Sequence, residues 1–519
     1  MIAQKRNSNV VSIPAPIQGW NVRDPLPMMG PQYAPILDNV FCLPSELQVR
    51  KGWTEYATFD GTCRTLLQYN ATSGDAELFA AVEDSLGDCF VYDISGGGAG
   101  VEVVNTLTSA IFKQTHFATS GGEFSYYVNG ADSALMYDGT TWHTITSSST
   151  PYAITGPSST HFSDVVVHKR RLWFVESNSL KCWYLPTDQI AGAAVSYDFG
   201  PIFNRGGHIV KIDTWSLDAG TGLDDHFIVY TNQGEVAVYS GVDPASASTW
   251  SLQGVFYIGS PTASGFTCKY GGDLLIISKD GIAQMSKSLM SSRVSTQLQM
   301  TDKIQPQLAN DTTTYAANPS WDLLLYPPQN MLLVNIPTET IDSTGSYQYV
   351  MNTISGAWAR WTGIPAHCWT FCEEKLYFGG NGFVGLAWNG QNDNGADITA
   401  DILPAYQNYG TQSRLKRWSL ARIVLGTDGN ATYGSRMEVD FNLNPSVINI
   451  PFTLNTPFAV YGSSTYGSSV YGGQMSVKSD WKSTSGIGYW GSLHVKVKTS
   501  VADVRLYSID VVTESGGNI

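Results

Sequence analysis

Phe227-Ile-Val-Tyr-Thr-Asn-Gln-Gly-Glu-Val-Ala-Val-Tyr239 reads as two apolar and aromatic strands around a tight polar turn. β-branched and aromatic side chains suit a pleated surface, and Asn and Gly supply the turn. The same unit recurs on both sides of it. Upstream lie Glu77-Leu-Phe-Ala-Ala-Val with Cys89-Phe-Val-Tyr-Asp, Phe124-Ser-Tyr-Tyr-Val-Asn-Gly with Ala134-Leu-Met-Tyr-Asp-Gly, and Arg171-Leu-Trp-Phe-Val with Leu180-Lys-Cys-Trp-Tyr. Downstream lie Leu274-Leu-Ile-Ile-Ser-Lys-Asp-Gly-Ile-Ala-Gln-Met, Met331-Leu-Leu-Val-Asn-Ile with Tyr347-Gln-Tyr-Val-Met, and Lys375-Leu-Tyr-Phe-Gly-Gly-Asn-Gly-Phe-Val-Gly-Leu-Ala-Trp. Taking the first strand of each unit at Phe79, Tyr126, Trp173, Ile228, Leu275, Leu332 and Tyr377, the spacings are 47, 47, 55, 47, 57 and 45 residues. Four-stranded propeller blades repeat at about 40–50 residues. A lone blade cannot bury both faces, so blades stack radially and close into a ring. The pattern predicts an all-β fold, with a β-propeller of six or seven blades over residues 61–410. Trp142, Trp250 and Trp358 each follow a turn at the end of a unit and are expected to wedge between neighbouring blades.

After about residue 410 the pattern changes. Met437-Glu-Val-Asp-Phe-Asn-Leu, Leu493-His-Val-Lys-Val-Lys and Val504-Arg-Leu-Tyr-Ser-Ile-Asp-Val-Val alternate with period two. One face is then buried and one wet, as in an antiparallel β-sandwich or platform over residues 411–519. Within it, Val460-Tyr-Gly-Ser-Ser-Thr-Tyr-Gly-Ser-Ser-Val-Tyr-Gly-Gly473 repeats Tyr-Gly every five residues. That period suits neither a strand nor a helix, and successive turns presenting Tyr461, Tyr466 and Tyr471 are expected. Helical signals are few: a short, Pro-broken stretch from Pro31 to Asn39, and Val294 to Ile304.

The 519 residues carry a net charge of −14, and only 14% of them are charged. A generic nucleic-acid binder needs a basic excess for phosphate neutralisation, which this composition excludes. Seven sparse cysteines do not make a small-domain disulfide framework. Cys368 and Cys372, beside His367, lack the second pair that a metal site requires, so alternate burial along a strand is expected and no metal is predicted. The basic start Met1-Ile-Ala-Gln-Lys-Arg is followed by no apolar segment of a signal peptide, and no run of 18 apolar residues exists. Synthesis in a cytoplasm and no membrane segment are the expectations.

The first sixty residues read Pro14-Ala-Pro-Ile-Gln-Gly-Trp-Asn-Val-Arg-Asp-Pro-Leu, then Met29-Gly-Pro-Gln-Tyr-Ala-Pro-Ile-Leu-Asp-Asn-Val-Phe, then Val49-Arg-Lys-Gly-Trp-Thr-Glu-Tyr-Ala-Thr. This resembles the N-terminal arm of the tail nozzle, or packaged-DNA stabilisation, proteins of short-tailed bacteriophages, and the Tyr-Gly repeat is similar to aromatic-Gly repeats of that family. The resemblance implies that residues 1–60 pack with the C-terminal platform. It implies a homo-hexameric ring beneath the portal and the adaptor, touched by tail fibres or spikes. Viral DNA would pass through the ring without sequence-specific binding. It implies a structural virion protein located in the tail, and Trp20, Arg50, Lys51, Trp53, Tyr461, Tyr466 and Tyr471 as candidate assembly contacts. Like charge along a channel wall would keep DNA from sticking.

No catalytic chemistry is predicted. The eight histidines form no His-x-x-x-His pair, and there is no Gly-x-Ser-x-Gly elbow, Walker loop or dinucleotide fingerprint. Gly96–Gly100 follows a strand and opens no helix, so it reads as a loop. Asp224-Asp-His226 reads as a polar turn, and His168-Lys-Arg-Arg171 as a solvated strand end. Asp138-Gly-Thr-Thr-Trp142 falls one residue short of the turn box of propeller glycosidases and occurs once. Neither catalytic residues nor a cofactor are expected. A propeller-type receptor- or glycan-binding adhesin is the alternative, and a propeller glycoside hydrolase a more distant one.

Overall fold

A computed structural model describes residues 8–71, 74, 76–218, 223–262, 267–278, 281–290, 300–338, 345–443, 448, 450–454 and 475–516. The chain is all-β and propeller-like, with strand taking 57% of it and helix 6%. The repeating unit is an antiparallel meander. In order, the meanders are Trp53–Tyr69 (its second half), Glu77–Glu83, Cys89–Asp93 and Val101–Leu107; then Lys113–Thr119, Gly122–Val128, Leu135–Tyr137 and Trp142–Thr144; then Phe162–His168, Arg171–Glu176, Lys181–Tyr184 and Val195–Asp198. They continue with Ile209–Asp218, Leu223–Thr231, Glu235–Gly241 and Trp250–Tyr257; then Thr267–Tyr270, Asp273–Ser278 and Gly281–Gln284; then Asp322–Tyr326, Met331–Pro337, Ser346–Asn352 and Trp358–Trp361; and last Cys368–Cys372, Lys375–Gly379 and Asn381–Ala387.

The division into sheets differs from six or seven independent blades. Four meanders stand alone, three as four-stranded sheets and one as a three-stranded sheet. The first and last meanders share one eight-stranded sheet, and the sixth extends into a nine-stranded one. The reason lies in the 17-residue strand Trp53–Tyr69. Its first half, from Trp53 to Thr62, pairs with Asn381–Ala387, and its second half, from Thr62 to Tyr69, pairs with Glu77–Glu83. A single strand thus finishes the last meander and starts the first, so the ring closes through backbone hydrogen bonds.

The two-strand units of the sequence prove to be the second and third strands of the meanders. Phe79, Tyr126, Trp173, Ile228, Leu275, Leu332 and Tyr377 all sit on the second strand of their meanders. That strand is covered on both faces and so reads as a continuous apolar run: four of the six residues of Arg171–Glu176 and the last five of Gly122–Val128 are buried. The true first strand faces the axis on one side and is more polar, as in Lys113-Gln-Thr-His-Phe-Ala-Thr119, where Phe117 alone is buried.

Separate hydrophobic clusters fill most seams between consecutive meanders, while the seams on either side of the fifth share one cluster with the arm and the platform. Phe79, Tyr127 and Leu135 join the first to the second; Tyr126, Met136, Phe162 and Phe174 the second to the third; Trp173, Tyr184, Ile212 and Phe227 the third to the fourth. Leu333 and Val350 meet Leu376 and Phe378 at the seam before the last meander, and Leu66, Leu78 and Val82 meet Tyr377 and Val384 where the ring closes. Trp142 lies edge-on to Phe79 at 5.0 Å, and Trp250 stacks on Trp173 at 5.6 Å, so both wedge across seams as expected. Trp358 does not. Its indole N–H donates to the Met300 carbonyl (2.9 Å), and it packs in one cluster with residues of the fifth meander, the N-terminal arm and the C-terminal strands.

The arm and the C-terminal region interleave. Ser8–Pro14 and Leu47–Val49 pair with Val504–Ser515, which also pairs with Lys416–Thr427, in a seven-stranded sheet. Ile36–Asp38 lies between Trp358–Trp361 of the sixth meander and Ile398–Leu403, and the nine-stranded sheet runs on through Gly491–Thr499 and Ala431–Val439. Pro31 to Asn39 is therefore strand, not helix: edge pairing overrides its weak local preference. From Val294 to Ile304, residues 294–299 lie outside the described residues and 300–304 form turns. The helix begins only at Gln305–Thr314, with a proline in its first turn where no amide donor is needed.

Trp173 is fully buried at a seam and touches both meanders through Tyr184 and Phe227. Trp173→Ala should lower the unfolding free energy by about 3–5 kcal/mol in a urea titration. A loss below about 1 kcal/mol would mean that this seam does not hold the ring.

Candidate axial site

The first strands of the meanders surround an axis, and a cavity of about 310 Å³ opens there. Arg64, Thr65 and Leu66 contribute from the closing strand, Lys113 and Gln114 from the second meander, and Lys211 from the fourth. Thr267, Asp322 and the segment from His367 to Thr370 complete the lining. Most of its polar groups are satisfied. Thr65 Oγ1 donates to the Ala110 carbonyl (2.9 Å) and accepts from the Phe112 amide (3.1 Å). Arg64 pairs with Glu83 at 2.7 Å. Lys211 Nζ pairs with Asp164 Oδ1 at 3.1 Å, and the other oxygen of Asp164 accepts from the Ile212 amide at 2.8 Å, tying the third meander to the fourth. Asp322 accepts from the amides of Leu323 (2.8 Å) and Trp369 (3.0 Å), tying the sixth to the seventh. Burial raises the Asp322 carboxyl above its ordinary range.

Lys113 is the exception. No hydrogen bond or ion pair to its ammonium is seen among the described residues. Burial, then the like charge of Lys211, pull its pKa down to about 8, against the opposing pull of Asp164 and Asp322. A cavity with one uncommitted ammonium can hold a small polar or anionic group by hydrogen bonding and charge. None of these residues stood out in the sequence. Their only signal was the polar alternation of the first strands, which resembles any half-wet strand.

The residues singled out as assembly contacts are mostly spent inside the chain. Trp20 is 4% exposed, its indole N–H donates to the Pro35 carbonyl (3.1 Å), and its ring lies 5.1 Å from Tyr349. Arg50 is fully buried and forms a bidentate pair with Asp393 at 2.7 and 2.6 Å, while its Nε donates to Asn39 Oδ1 (2.9 Å) and a terminal nitrogen to the Thr362 carbonyl (2.8 Å). Trp53 is 7% exposed and stacks on Phe383 at 5.1 Å. Lys51 is half-buried over Trp388. Trp20, Arg50 and Trp53 are thus buried among this chain's own residues and brace its fold. Tyr461, Tyr466 and Tyr471 lie outside the described residues.

The other sequence features resolve into structure. Lys169 and Arg170 adopt left-handed backbone angles at a hairpin tip, and the three cations pair in the chain: Lys169 with Asp225 (2.9 Å), Arg170 with Asp188 (2.6 Å), Arg171 with Asp243 (3.3 Å). Asp138 caps its turn by accepting from the amides of Thr140 (2.9 Å) and Thr141 (2.8 Å), and its other oxygen lies 2.9 Å from His143 Nε2. Gly98–Ala99 pairs with the closing strand. Among the described residues no group of three or more His, Cys, Asp or Glu could hold a metal ion, and no helix is long and apolar enough to cross a membrane.

The fold and cavity thus define an all-β, propeller-like protein with a platform woven from its two ends. No protein-family model and no curated protein matches the sequence. Among solved structures, the chain is similar to one described as the crystal structure of BBS1N in complex with ARL6DN, soaked with lead. The match has 11% identity, covers 66% of this chain and 99% of that chain, and has a TM-score of 0.39. At that level the likeness carries no argument about this chain.

Two measurements follow from these contacts. Arg50→Ala leaves the Asp393 carboxylate and the Asn39 and Thr362 acceptors without their donor, and should cost about 3–5 kcal/mol in chemical denaturation. A change within about 0.5 kcal/mol would show that the pair braces nothing. For Lys113, the folded pKa near 8 lies below the ordinary 10.5, so the unfolded chain binds more protons between those values. The cost of the buried ammonium is complete below pH 8 and fades as pH rises toward 10.5. Lys113→Met should stabilise the protein by about 1–3 kcal/mol at pH 7, with the gain shrinking through that window. A pH-independent difference between the two melting curves would contradict this account.

Proposed function

We propose that this chain is a structural virion protein: a subunit of a hexameric tail nozzle that continues the DNA channel below the portal and adaptor, helps to retain packaged DNA and conducts it during ejection. The reading rests on the resemblance carried by the N-terminal arm. The observation that supports it most directly is the arm's position. Four strands of the arm, Ser8–Pro14, Ile36–Asp38, Val40–Cys42 and Leu47–Val49, belong to the two sheets that hold the C-terminal region, and Ile36–Asp38 bridges one of them to the sixth meander. Arg360 grips Asp38 at this junction through two hydrogen bonds of 2.8 and 2.6 Å. A platform rigidly coupled to a ring suits a subunit that packs against its copies and an adaptor through one part and presents the other to tail fibres or spikes. The acidic balance of the chain suits a wall past which DNA slides without sequence-specific binding. The protein would act in the virion tail, after synthesis in the host cytoplasm, and would have no enzymatic role.

The axial cavity with its uncommitted Lys113 favours a second reading, a propeller that binds a receptor or glycan. The two separate on assembly. Native mass spectrometry of the full chain, with negative-stain electron microscopy, should give a six-fold ring with a central opening. A monomer or trimer that binds a glycan array, even in the presence of the co-expressed adaptor, would reject the nozzle reading in favour of the second.

A further inference from the structure

Cys63 and Cys368 lie on the two strands that meet where the ring closes. Cys63 is in the half of Trp53–Tyr69 that starts the first meander, and Cys368 opens the first strand of the last. Their sulfurs are 3.8 Å apart, across 305 residues of sequence. No other pair of the seven cysteines shows such a contact. The two thiols are not neighbours in a ladder, since Cys63 pairs with Val82 and Cys368 with Gly379. They meet side chain to side chain across the seam.

The space they occupy is made by a missing side chain. A Cβ at Gly379 would fall 2.5 Å from Cys63 Sγ and 2.7 Å from Cys368 Sγ, so only glycine admits both sulfurs. Cys63 is fully buried, and burial holds its thiol well above the ordinary range, which keeps it protonated and slow to react alone. Cys368 is different in one respect: it lines the axial cavity, which gives a small oxidant a route to it.

We infer that Cys63 and Cys368 form an oxidation site, a disulfide latch that covalently joins the first and last meanders. With a peroxide as oxidant, the Cys368 thiol gives up its proton, and its sulfur attacks one peroxide oxygen. The O–O bond breaks, and a first water leaves once the departing oxygen takes up that proton. The Cys63 sulfur then attacks the resulting sulfenic sulfur, the S–O bond breaks, the S–S bond forms and a second water leaves with the Cys63 proton. Two thiols are oxidised by two electrons and one peroxide is reduced to two waters. The sulfurs must close from 3.8 Å to about 2.05 Å, beside a glycine that puts no side chain between them. The cross-link spans most of the ring, and a disulfide that closes a long loop removes the most freedom from the unfolded chain. The site does not depend on the nozzle reading.

The test uses the full chain, treated with hydrogen peroxide, alkylated without reduction, digested and analysed by mass spectrometry, beside thermal melts of the same samples. The expected result is a peptide linking Cys63 to Cys368 and a melting midpoint raised by about 5–10 °C, reversed by dithiothreitol. Cys63→Ser and Cys368→Ala should each abolish the linked peptide and the rise, while Cys372→Ser keeps both. Should either variant fold poorly, the linked peptide in the wild-type digest decides alone. Its absence after complete oxidation of a surface-thiol control, or an equal rise in the Cys368→Ala protein, overturns the proposal.

Discussion

A ring of sheets is only as strong as its closure, and here closure depends on one strand. Trp53–Tyr69 gives its first half to the last meander and its second half to the first. Because the two halves are covalently continuous, opening the ring requires breaking a ladder of backbone hydrogen bonds and exposing the cluster of Leu66, Leu78, Val82, Tyr377 and Val384 together. Neither loss is tolerable alone: unpaired strand edges and freshly wetted apolar surface both carry large penalties. Every other seam shares this logic without the continuity, relying on interleaved side chains between sheets that are separate in hydrogen bonding.

The same strand explains why the N-terminal arm is part of the fold. Since the ring closes through residues 53–69, the segment before them must emerge beside the last meander. There it meets the sixth, and the C-terminal strands that follow the last. Ile36–Asp38 fills the gap between Trp358–Trp361 and Ile398–Leu403, and Arg50 joins Asp393 just before the closing strand begins. A buried guanidinium with its planar fork matched by a carboxylate and two further acceptors specifies one geometry far better than apolar packing would. Platform and ring are coupled at this junction, and the residues there that stood out by type, Trp20, Arg50 and Trp53, owe their burial to it.

The axial cavity follows from the same arrangement. First strands converge with one face free, and the charges on that face neutralise one another across meanders, Lys211 with Asp164, while Asp322 is held by amides of its own and the next meander. Lys113 is left over. Its pKa is pulled down first by burial and then by the like charge of Lys211.

The sequence by itself determined the all-β class and the repeat near fifty residues, because apolar periodicity and turn residues are local properties that survive in one dimension. Its landmarks marked the second strand of each meander, since burial on both faces makes that strand conspicuous and leaves the axial one plain. Trp20, Arg50 and Trp53 could be recognised as special, but their role could not, because a buried partner and a neighbouring subunit demand the same residue types. Only the tertiary structure decided that a single strand belongs to two meanders, that the sulfurs of Cys63 and Cys368 meet over Gly379, and that Lys113 lies at the axis with no ion pair among the described residues. Each of these joins residues far apart in the chain, whose proximity is set by ring closure and by no local preference.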